Sequence, residues 1–80
     1  GFACTFAALA KELGYNPYVI CGRVPGSRDH AADGYTRHGW VMINGKHYDA
    51  EGAFAGWGGC FGTSGFTTAY QVQKIVQFKY

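Results

Sequence analysis

Nowhere in these 80 residues does an apolar run approach the roughly 20 that a membrane-spanning helix needs. A charged stretch leading into an apolar one, the mark of a secretory signal, is missing as well. Charge is scarce: 7 Lys and Arg stand against 5 Asp and Glu, and a dispersed net charge of +2 is too weak a field to argue for nucleic acid or an anionic membrane. No Cys-x-x-Cys pair occurs, and the histidines are scattered at positions 30, 38 and 47, which argues against a metal site. Calcium-loop and nucleotide-binding glycine patterns are absent, so no cofactor is expected.

What is present is a hydrophobic content of 48% against 15% charged residues, which excludes a disordered tail. The 13 glycines, about twice the usual share, imply that much of the chain is turn or loop. A chain this short supports one compact core, burying only about 60 to 65% of its unfolded surface. Residues 1–80 therefore read as one domain. Because the chain starts at Gly1, three residues before its first cysteine, we expect a piece of a longer or processed protein. Three cysteines leave two arrangements open: Cys21 paired with Cys60 and Cys4 free, or all three free.

Between residues 4 and 13, Phe6, Leu9, Ala10 and Leu13 recur at helical spacing, with Gly14 and Pro17 placed to end the helix. Residues 18–24, rich in β-branched and aromatic side chains, predict a buried strand with Cys21 in the core. Residues 27–36 are a polar loop. Asn44-Gly45 predicts a type I′ hairpin that pairs Ile43 with Lys46, Met42 with His47, Val41 with Tyr48, Trp40 with Asp49 and His38 with Glu51. That register puts His38, Trp40, His47, Asp49 and Glu51 on one face, with His38 and Asp49 diagonal neighbours. Residues 52–65 read as a mobile glycine-rich loop bearing Phe54 and Trp57, residues 67–70 as a helical turn, and residues 72–80 as a closing strand.

Cys4, His38 and Asp49 thus carry the residue types of a thiol acyl-transfer site: a nucleophile, a base for its proton and a group that orients the base. A helix N-terminus favours a thiolate through its unpaired N–H groups and dipole. Glu51 competes with Asp49 as orienter. Trp40, Phe54 and Trp57 are the candidates for substrate contact, although Trp40 suits packing beside the site better, and His30 and His47 read as a loop residue and an exposed strand residue.

The ordered set Gly1-Phe2-Ala3-Cys4, Leu13-Gly14-Tyr15-Asn16-Pro17 with its following strand, His38-Gly39-Trp40-Val41 and Tyr48-Asp49 resembles the transglutaminase-like core, a branch of the papain-like thiol enzymes. The resemblance spans residues 1 to about 52. It implies an α+β fold with the nucleophile's helix packed on an antiparallel sheet. It implies catalytic roles for Cys4, His38 and Asp49, acting on peptide or amide carbonyls of a peptide or protein substrate by hydrolysis or transamidation. A monomer is expected, and the family suggests a bacterial secreted or surface protein as parent. Two other outcomes stay open: a non-catalytic peptide- or glycan-binding module of the same fold, and a fragment inactive without upstream segments.

Overall fold

The computed structural model describes residues 1–56, 59–65 and 69–79. Helix α1 (Phe2–Glu12) precedes strands β1 (Tyr18–Pro25), β2 (Tyr35–Ile43) and β3 (Lys46–Tyr48); a short helix α2 (Ala50–Ala55), strand β4 (Phe61–Thr63) and strand β5 (Gln71–Gln77) follow. The strands form one sheet in the order β4-β3-β2-β1-β5, every neighbouring pair antiparallel. The class is α+β. No helix among the described residues is long and apolar enough to cross a membrane.

The end of α1 follows from its sequence. Gly14 adopts φ 93°, its N–H donates to the Lys11 carbonyl and the Tyr15 N–H donates to that of Ala10, the paired bonds of a Schellman motif. The helix begins two residues earlier than the sequence spacing suggests, and its buried face is rotated from the expected one. Ala7 and Ala10 are buried, with Ala3 and Phe6 packed beside them, whereas Leu9 and Leu13 are exposed. Small residues on the buried face let α1 lie close to β2, where a Cβ added at Gly39 would sit 3.6 Å from that of Ala3.

The Asn44-Gly45 turn forms with positive φ at both positions, and the predicted pairs Ile43–Lys46, Met42–His47 and Val41–Tyr48 are all present. The ladder then stops. Asp49 leaves the sheet to cap α2, its side chain accepting from the Gly52 N–H, so Trp40–Asp49 and His38–Glu51 are not strand pairs. The predicted 52–65 loop is corrected on the same ground, since it contains most of α2 and all of β4. The helical turn expected over 67–70 is not formed at Ala69 and Tyr70; Thr67 and Thr68, like Tyr80 at the end of the predicted closing strand, lie outside the described residues.

Two clusters divide the interior by sheet face. Val41 and Ile43 meet Ala7 and Ala10 of α1; Ile20 and Trp40, paired across β1 and β2, project from the other face and meet Cys60, with Tyr70 packed over them. Cys21 is exposed rather than in the core, because its neighbours Ile20 and Gly22 alternate onto the buried face. All three cysteines are free thiols, and Cys60 alone is buried.

Candidate active site

His38 sits mid-strand on β2 with its side chain 2% exposed, and Asp49, 1% exposed, lies against it. The Nε2 to Oδ2 distance is 2.9 Å. A carboxylate only accepts, so this contact assigns the proton to Nε2 and leaves Nδ1 as the nitrogen that exchanges protons. Asp49 is held from every side. The Tyr70 hydroxyl donates to Oδ2 at 2.5 Å, the Gly52 N–H donates to Oδ1 at 2.9 Å, and the Asp49 N–H donates to the Cys60 carbonyl at 2.8 Å. Burial pulls the Asp49 carboxyl upward, but the hydrogen bonds from His38, Tyr70 and Gly52 outweigh it and hold the group below the ordinary carboxylate range. Asp49 is therefore ionised at neutral pH. Burial, reinforced by the bond to Asp49, pushes the Tyr70 phenol far above the usual tyrosine range and keeps it a donor.

Glu51 reaches the opposite ring nitrogen, with Oε1 3.4 Å from Nδ1 and its side chain 31% exposed. The two competing acids face different ring nitrogens: Asp49 bonds Nε2 and Glu51 faces Nδ1. A carboxylate facing Nδ1 is an ion-pair partner only for the protonated ring.

Trp40 is fully buried, which removes it from substrate contact. It packs instead: its ring stacks on that of His38 at 6.2 Å, Tyr70 stands edge-on to it at 4.9 Å, and its Nε1–H donates to His47 Nδ1 at 3.1 Å. His47 is correspondingly half-buried rather than exposed, and burial lowers its pKa. Phe54 is 82% exposed on α2, with its ring 5.6 Å from that of Phe2. Trp57 lies outside the described residues.

Cys4 is exposed in the first turn of α1. The first intrahelical bond runs from the Thr5 N–H to the Gly1 carbonyl, so the Cys4 N–H precedes the hydrogen-bonded ladder and points a donor out of the helix start. Cys4 and His38 belong to opposite sides of the sheet, since α1 covers the Val41 face and His38 shares a face with Trp40. They come to one open cleft of about 480 Å³ around Gly39, a cleft that also includes Cys21, Glu51 and Gln73. Its rim is built by the β1–β2 connection, where Asp29 accepts from the Arg37 N–H and Nε and is held at about 2 by those bonds. Asp33 takes both arms of the Arg23 guanidinium at 2.7 Å.

Tyr70 is the site residue that the sequence pattern did not reveal. It stands 21 positions from Asp49 with no local motif around it, and only the closing of β5 onto β1 brings it there. Among the described residues no cluster of three His, Cys, Asp or Glu side chains could hold a metal ion. No family profile, curated protein or solved structure matches the chain.

Proposed function

We propose that this chain is a thiol acyl-transfer domain of the transglutaminase-like type, acting on peptide or amide carbonyls. The observation that carries the proposal is the buried His38–Asp49 pair, its ring proton assigned to Nε2, on a cleft that also includes the helix-start thiol of Cys4. Cys4 supplies the thiolate, which adds to the carbonyl carbon. The Cys4 N–H is a donor for the oxyanion. The imidazolium gives its Nδ1 proton to the leaving amine, forming a thioester on Cys4. The neutral ring then takes a proton from water or from an incoming amine, which attacks the thioester and frees the thiol. Asp49 keeps the ring in the tautomer both steps need, and Tyr70 and Gly52 keep Asp49 in place.

Cys21 provides an internal reference, being an exposed thiol on the same cleft. Alkylation with limiting iodoacetamide at mildly acidic pH, read by peptide mapping, is expected to label Cys4 about tenfold or more faster than Cys21. His38→Ala removes that advantage and lowers turnover of amide substrates by about a hundredfold or more. Equal labelling of the two thiols, unchanged by His38→Ala, overturns the proposal.

A further inference from the structure

Cys4 borders a second groove as well. Val19, Val76, Gln77, Phe78 and Lys79 line the rest of it. The groove exists because α1 packs chiefly over β2, with Val19 and Phe78 only partly buried against it, and leaves the β5 part of the same sheet face open. Val19 pairs with Val76 there, and Val76 is 43% exposed. Beyond it the sheet ends: among the described residues β5 pairs with β1 alone, and every residue of β5 is exposed. An uncovered edge strand presents backbone N–H and C=O groups whose natural complement is another extended backbone. The charge is one-sided as well. Lys79 lines the groove, Lys74 pairs with Cys21 on the same sheet face, no acidic residue lines it, and neither lysine forms an ion pair among the described residues.

The geometry points to β5 as the docking edge for an extended peptide substrate, which adds as a strand along Gln71–Gln77 and seats an apolar side chain, with an acidic neighbour, in the groove between Val19, Val76 and Phe78. This rests on the reading of Cys4 as nucleophile, because it is the continuity of the groove with that thiol that makes the bound segment a substrate. Pocketed side chains set specificity and the shared ladder sets affinity and direction.

The test uses a Cys4→Ser protein and the blocked peptide Ac-Gly-Gly-Leu-Asp-Gly-Gly-NH2, followed by amide NMR. Binding is expected to shift Val19, Val76, Gln77 and Lys79 and to slow amide exchange along β5. Replacing the peptide leucine by serine, or introducing Val76→Asp, is expected to weaken binding roughly tenfold or more. Ile75→Asp, on the opposite face of the same strand beside Ile20, leaves it unchanged. Shifts elsewhere, no binding, indifference to Val76→Asp, or self-association of the protein through β5 without peptide each overturn the proposal. Iodoacetamide labelling of the wild-type chain separates the two readings. Fast Cys4 labelling without peptide binding removes the docking edge alone. Peptide binding at β5 beside an ordinary Cys4 keeps the edge and removes acyl transfer.

Discussion

Strand β2 is covered on both faces, by α1 over Val41 and Ile43 and by Tyr70 and Cys60 over Trp40, while β5, two strands away, is exposed along its whole length. The His38–Asp49 pair lies in the first environment and the Cys4 thiol opens onto the second. A buried carboxylate with three donors is fixed before any substrate arrives, and its field is little screened by water. An exposed thiol beside a bare strand edge has the opposite quality, which is access. The proposed acyl transfer would draw on both, and the fold offers them on one sheet, two strands apart, with α1 carrying the thiol.

The contrast is easiest to break with the cysteines. Titration of the native protein with Ellman's reagent is expected to consume Cys4 and Cys21 at once, with buried Cys60 reacting on the order of a thousandfold more slowly through opening of the structure. Burial also pushes the Cys60 thiol up, which reinforces the difference. Three equally fast thiols would show that the β2 side is not closed.

Asp49→Ala probes the interior directly. It strands the His38 Nε2–H, the Tyr70 hydroxyl and the Gly52 N–H, and we expect about 3 to 5 kcal/mol of lost stability by urea denaturation. The sign of the pH dependence follows from the depressed carboxyl. Its contribution is fully present above the unfolded carboxyl value of about 4 and is lost as pH falls through the lower folded value. The gap in stability between wild type and Asp49→Asn should therefore close on acidification below that range; a gap that is constant with pH would contradict the ionised, triply bonded Asp49.

Two valines on the helix side of the sheet give the smallest and sharpest comparison. Val41→Ala, fully buried, is expected to cost about 2 kcal/mol, and Val76→Ala, 43% exposed, about 0.5 kcal/mol or less. Similar losses at both positions would mean that the β5 side is covered in solution.

The parts of this arrangement that could be read from the sequence are those set by short-range stereochemistry. Asn44-Gly45 dictated the hairpin register because few residue pairs accept two positive φ values in succession, and Gly14 marked the end of α1 for the same reason. The candidate triad followed from that register, although the pairing with Asp49 is made by a helix cap and not by a ladder position. Helix α2 was hidden because the glycines around it drew the region toward loop, yet Asp49 preceding Ala50-Glu51 is an N-cap signal and Gly56 at φ 75° is its stop. The rotated face of α1 had no such local mark. Which side of an alanine-rich helix is buried depends on how closely the sheet approaches, and Gly39 determines that from another element. Tyr70 was beyond reach for the same reason, its partners being far away in sequence.

Asp49 bonds the imidazole with one carboxylate oxygen and the first turn of α2 with the other. The amide proton of Gly52 is thereby wired to the charge on Asp49: its NMR shift can serve as a built-in pH electrode for that carboxylate, read without touching either ring or thiol.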